Sequence, residues 1–186
     1  MWVKICGITR REDALAAAAL GADAVGFVFT AGPRRVLVHD IAGWVHEVRG
    51  VEKVGVFRGE PVGEIMRVCS ALGLDTVQLH VRPDPSHVLL AERYGVIYAV
   101  RDHAAMEHVG FTCRILVDGS EGTGRRGRWV ALGMPYILAG GLTPENVRRA
   151  IELARPSGVD VSSGVETASG IKDHDRMRLF IREARS

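Results

Sequence analysis

YILAGGLTPENVRRAIELARPSGVDVSS, residues 136–163, carries the architecture of the chain in miniature. It opens on an apolar run ending in two glycines, passes through a helix-like segment, PENVRRAIEL, and closes on a second β-branched run, VDVSS. Thr143 followed by Pro144 has the form of an N-cap with proline at the first helical position. Strand, helix and strand in so short a span read as a βαβ unit with parallel strands.

Outward from it the same alternation repeats. Short β-branched or aromatic runs recur as VKIC (3–6), AVGFVF (24–29), VGVF (54–57), TVQLH (76–80), VIYAV (96–100) and RILVD (114–118), giving eight candidate strands with YILAG (136–140) and VDVSS (159–163). Their starts lie about 18 to 30 residues apart, room for a strand and a returning helix. DALAAAAL, IAGWVHEV, VGEIMRVCSAL, SHVLLAERY and DHDRMRLFIREA supply further helical segments, and Thr9 with Glu12 has the spacing of a capping box for the first. Around 104–109 and 127–133 any helix must be short. Eight β-then-α units predict a closed (β/α)8 TIM barrel, compact and with short loops, since that fold typically takes about 200 to 250 residues and this chain has 186. An open doubly wound sheet needs fewer strands and leaves two or three runs unexplained.

One domain over residues 1–186 suits the length. Hydrophobic residues at 47% and charged residues at 25% exclude a disordered or collagen-like chain, and a net charge of +2 does not point to nucleic acid or an anionic membrane. Charges break every apolar stretch before it could span a bilayer. Three cysteines, at 6, 69 and 113, have neither disulfide-framework nor zinc-ligand spacing, which fits a reducing cytoplasm. The 24 basic residues include only three lysines, Lys4, Lys53 and Lys172, so each lysine is informative.

In a barrel of this kind the chemistry sits where strands end, in the βα loops of the C-terminal face. That rule selects Cys6, Phe29, His80, Arg101, Asp118, Gly140 with Gly141, and Ser162 with Ser163. Gly140, Gly141, Ser162, Ser163 and Gly164 end strands seven and eight in bare amides and hydroxyls, the place where this fold recurrently binds phosphate. GTGRRG (122–127) matches a dinucleotide pattern by letters, but it lacks the tight turn into a long helix; it reads as a flexible loop or a lid. Asp118 follows three apolar residues, which suits either a loop cap or a general acid. Cys6 is either a buried small hydrophobe or, with a lowered pKa, a base. Strand parity places Lys4 on the Cys6 face and Asp160 on the Ser162 face, so barrel closure is expected to pair Lys4 with Asp160 beside the thiol.

KICGITRREDA, GADAVGFVF, VGVF, VQLH, the Asp118 strand with GTGR, LAGGLTPENV and VDVSSGVE followed by GIKD together resemble the phosphoribosylanthranilate isomerase family, in order and over nearly the whole chain. The resemblance implies a (β/α)8 barrel, tryptophan biosynthesis, a small phosphosugar substrate, and no metal or organic cofactor. It also implies an Amadori rearrangement with Asp118 as general acid and Cys6 as general base; Lys4 and Asp160, by parity, and His80, by its strand-end position, are expected to support them. An arginine after strand two would hold the anthranilate carboxylate. Ungapped alignment selects Arg35, the preferred candidate, and the family's serine-proline-arginine pattern selects Arg34. Gly32 stands in place of the usual serine before Pro33, and VRPDP follows Leu79 and His80 where the family has glycine and an acid. The sequence does not choose between a monomer and a homodimer. The competing readings are another phosphate-binding barrel enzyme, such as a metal-dependent pentose-phosphate epimerase for which only His80 is suitably placed, and a phosphosugar-binding protein without catalysis.

Overall fold

In the computed structural model, which describes residues 1–101, 111–119 and 129–186, eight parallel strands close into a barrel. They are β1 (Trp2–Cys6), β2 (Ala24–Val28), β3 (Glu52–Phe57), β4 (Thr76–Leu79), β5 (Gly95–Val100), β6 (Arg114–Asp118), β7 (Ile137–Ala139) and β8 (Gly158–Val161). Each pairs with its sequence neighbour, and β1 pairs with β8 to close the ring, setting Lys4 opposite Asp160. The segments at 104–109 and 122–127 lie outside the described residues, and 129–133 holds no helix. No helix among the described residues is long and apolar enough to cross a membrane.

Alternation along the strands separates two apolar layers. Ala24, Val54, Ile97, Leu116, Ile137 and Ala139 pack together inside the ring. Val3, Ile5, Val25, Phe27, Val77, Tyr98, Leu138 and Val159 point outward and are covered by helices. At the end of the barrel away from the strands' C-termini, Glu52 accepts hydrogen bonds from Arg114 and Thr76, and the Arg114 guanidinium lies 5.1 Å from the Trp2 ring centre. That ion-paired cluster forms the floor of the barrel interior.

Between the strands run α1 (Arg11–Ala19), α2 (Val38–Ile41), α3 (Val62–Leu72), α4 (Val88–Ala91) and α5 (Val147–Ala154). After β8 come a short antiparallel pair, β9 (Glu166–Ala168) with β10 (Ile171–Lys172), and α6 (His174–Ala184). α3 matches its expected segment and ends, as its sequence suggests, on a left-handed Gly73.

Several helical expectations are corrected. The IAGWVHEV segment is no single helix: α2 starts earlier, where the Asp40 carboxylate accepts the Leu37 amide at 2.8 Å, and it ends before Gly43, leaving a 3-10 turn at Val45–Glu47. SHVLLAERY shortens to a 3-10 turn capped by Asp84, with Pro85 at its first position, and one turn of α4. The capping box of Thr9 and Glu12 does not form; the Thr9 hydroxyl donates to the Gly170 carbonyl at 2.6 Å instead. Nor does Thr143 cap α5. Residues 144–146 form a turn, and the Asn146 side chain accepts the Thr143 amide and donates to the Gly141 carbonyl, both at 2.9 Å.

α1 and α6 meet through Asp13, a fully buried carboxylate. It takes two hydrogen bonds from Arg10 at 2.8 and 2.9 Å, one from the Lys172 amide at 3.1 Å, and contacts His174 Nε2 at 2.8 Å. These bonds outweigh burial and hold its carboxyl below the usual range.

Candidate active site

The inward positions of each strand end at the open mouth, around a cavity of about 340 Å³. Cys6, His80, Asp118, Asp160, Gly140, Gly141, Ser162 and Ser163 all line it, so one cavity unites groups from five strand ends. Phe29 is instead buried against Phe57, with the rings stacked at 5.1 Å. Arg101 is exposed and does not line this cavity.

Cys6 owes its place to two glycines. A Cβ on Gly26, its register partner on β2, would come within 2.9 Å of Cys6 Sγ and 3.0 Å of Lys4 Cε. Gly7 has φ +73°, and a side chain there would meet Arg34 Cδ at 2.5 Å and Ser162 Oγ at 2.9 Å. The thiol therefore sits in a notch that only glycines permit.

Lys4 and Asp160 form an ion pair at 2.9 Å inside the mouth, the Lys4 side chain wholly buried. Burial works against the Lys4 charge, but Asp160 and Cys6 offset it, and the ammonium keeps its proton above the ordinary lysine range. Burial pushes the Cys6 thiol up, while Lys4 pulls it down and offsets part of that rise. The expectation of a lowered thiol pKa is thus corrected: desolvation is the larger effect. Just past the end of β4, His80 Nε2 lies 2.9 Å from Gln78 Nε2, and burial together with Lys4 lowers the imidazole pKa, favouring the neutral ring. Gln78 Oε1 and Ser162 Oγ are buried without a hydrogen-bond partner among the described residues. Orphaned acceptors at a cavity wall suit a ligand that brings hydroxyl groups.

After β7, Gly140 and Gly141 are both left-handed, at φ 93° and 65°. Gly164 makes a very close approach: a Cβ there would stand 1.9 Å from the Leu142 carbonyl oxygen. The loops after β7 and β8 thereby pack backbone against backbone, and a second cavity of about 400 Å³, lined by Gly141, Thr143, Ser163, Gly164 and Arg176, adjoins them. Gly164→Ala is expected to cost about 1–3 kcal/mol of stability by overpacking this contact; equilibrium urea unfolding measures it, and an unchanged midpoint would mean that the loops do not depend on the contact.

Arg34 and Arg35 diverge. Arg34 lines the main cavity and forks onto Glu166, with Nε and Nη2 at 2.8 and 2.6 Å from its two oxygens. Arg35 does not line it, and its Nε donates to the Phe29 carbonyl at 3.2 Å. Sequence reasoning passed over Arg58, Gln78 and Arg176 at the two cavities; Arg58 and Gln78 follow from carrying the inward parity of β3 and β4 to the strand ends, whereas Arg176 has no local signal. Glu166 and Lys172 were within the quoted motifs but received no role.

A closed parallel barrel with reactive side chains gathered at its C-terminal mouth places the molecule in the class of (β/α)8-barrel enzymes. The family model described as N-(5'-phosphoribosyl)anthranilate isomerase matches residues 3–183. The enzyme of that name from Pelobacter propionicus is 42% identical, over 98% of this chain and 95% of its own length. The phosphoribosyl anthranilate isomerase structure from Thermotoga maritima superposes with a TM-score of 0.87 at 40% identity, covering 100% of this chain and 98% of that one. A related structure, in complex with reduced 1-(o-carboxyphenylamino)-1-deoxyribulose 5-phosphate, gives 0.83 at 41% identity, with 100% and 98% covered. The chain belongs to the N-(5'-phosphoribosyl)anthranilate isomerase family. It is an isomerase, and the family's reaction is a step of tryptophan biosynthesis.

Proposed function

We propose that residues 1–186 act as one catalytic domain that converts N-(5-phosphoribosyl)anthranilate to 1-(2-carboxyphenylamino)-1-deoxyribulose 5-phosphate, with Asp118 as general acid and Cys6 as general base. The observation that carries this reading is that Cys6 and Asp118 line one cavity whose rim is built by the glycine-rich loops after β7 and β8. Asp118 protonates the ribose ring oxygen, the C1′–oxygen bond breaks, and the anilino nitrogen lone pair forms an iminium at C1′. Cys6 thiolate removes the C2′ proton, and those electrons neutralise the iminium to give an enolamine. Tautomerisation of the enolamine yields the ketone, so no electrons or atoms are exchanged with a cofactor.

The two ends of the substrate are anions, and both find donors. Main-chain amides around Gly140, Gly141, Ser162, Ser163 and Gly164 suit the phosphate. For the carboxylate the proposal takes Arg34 over Arg35, because Arg34 lines the cavity and keeps Nη1 beyond the two nitrogens that Glu166 occupies. Lys4 and Asp160 hold the charge around Cys6, and His80 stands by as a neutral imidazole.

The test is an assay with freshly generated phosphoribosylanthranilate, following the loss of anthranilate fluorescence with and without a chelator. Turnover that the chelator leaves unchanged is the expected result. Tight binding without turnover would support the non-catalytic reading, and loss of activity on chelation would support a metal-dependent barrel.

A further inference from the structure

Glu166 does no chemistry in the reaction above, yet its carboxylate is saturated with donors. Arg34 supplies two, Lys172 Nζ a third at 2.7 Å, and the Gly170 amide a fourth at 3.2 Å. Lys172 Nζ also donates to the Ser162 carbonyl at 3.3 Å, and its side chain is fully buried. Glu166 and Lys172 face each other in register across β9 and β10, just beyond the glycine-rich loop after β8.

Burying a lysine is costly unless it is paired, so an arrangement of two cations on one carboxylate needs a physical reason. Charge arithmetic offers one. Arg34 and Glu166 alone would cancel, leaving a neutral pair beside two sites meant for anions; with Lys172 the cluster carries one net positive charge. Geometry offers the second. The fork onto Glu166 uses Nε and Nη2, fixing the plane of the guanidinium while the Arg34 stem passes over Gly7, and it leaves Nη1 for another acceptor. The same Lys172 restrains the Ser162 peptide at the start of the proposed phosphate loop.

We infer that Glu166 and Lys172 are positioning residues that join the carboxylate site to the phosphate site: Glu166 orients Arg34, and Lys172 keeps the cluster cationic while bracing Ser162. The inference rests on the proposed reaction, so turnover of phosphoribosylanthranilate by the unaltered enzyme is measured first; its absence would overturn that reaction and this role with it. Steady-state kinetics then compare Arg34→Met, Glu166→Gln and the double variant. Glu166→Gln is expected to raise KM at least about tenfold while kcat changes less than about threefold, the pattern of lost ground-state binding. In the Arg34→Met background the same substitution is expected to change KM less than about threefold, because its effect passes through Arg34. Equal effects in both backgrounds, with the unaltered enzyme active, would overturn the positioning role alone.

Should Glu166→Gln fail to fold, Arg34→Lys decides the matter. It keeps the charge and loses the fork, and is expected to leave KM within about threefold of Arg34→Met. A KM near that of the unaltered enzyme would mean that charge without orientation suffices, and would overturn the inference.

Discussion

Asp118→Asn is expected to lower kcat at least about 100-fold, the scale of a lost general acid, with an unchanged circular-dichroism spectrum. Asparagine is nearly the same size and still hydrogen-bonds, but it has no proton to give to the departing ring oxygen. Asp118 ends β6 half-buried at the cavity wall, so the substitution removes no core packing. Substrate binding is expected to persist, since neither proposed anion site includes this residue. A kcat within tenfold of the unaltered enzyme would remove Asp118 as the acid.

Cys6→Ser is the second large effect, again at least about 100-fold in kcat. A serine hydroxyl fits the notch beside Gly26 but is far too weak an acid to ionise there. The pH dependence gives the stricter test. A base must be deprotonated to act, and burial holds the Cys6 thiol above its ordinary range, so kcat/KM is expected to rise with pH through the alkaline region. Lys4 lowers that thiol pKa more than Asp160 raises it. Lys4→Met, and Lys4→Met with Asp160→Asn, are therefore both expected to move the rising limb to higher pH. The double variant is needed because the single one strands a buried carboxylate, at a cost of about 3–5 kcal/mol. A rising limb that stays in place in both variants would separate the lysine from the thiol.

The barrel was legible because each strand is short, apolar and β-branched; the strand-end rule then selected Cys6 and Asp118, and parity set Lys4 with Cys6 and Asp160 with Ser162 without knowledge of any contact. The Lys4–Asp160 pair needed only one further assumption, that the ring closes between its first and last strands. Arg34 and Arg35 could not be separated in the same way. Two identical side chains stand in a loop, and what distinguishes them is Glu166, 132 residues from Arg34. Thr9 is a similar case, since its hydroxyl is taken by Gly170, 161 residues away, and the local capping pattern is overridden. Helix α2 fell short of its pattern because Gly43 interrupts propagation, and α4 is shorter than its pattern because the 3-10 turn that Asp84 caps takes up the first residues. Local rules read what neighbours decide; the loops of the mouth are decided by partners most of the chain away.

The Lys4–Asp160 pair also sets a clock on synthesis. Its partners are 156 residues apart, which at about 5–20 residues per second separates their appearance by roughly 8–31 s. Throughout that interval the growing chain carries a lysine destined for an apolar interior and no carboxylate to receive it. In an early half-barrel the inner face of β1 is still open to water, so Lys4 is buried only once β8 brings Asp160 beside it. The same contact that arranges charge around the thiol thereby withholds a finished reaction centre from any unfinished chain.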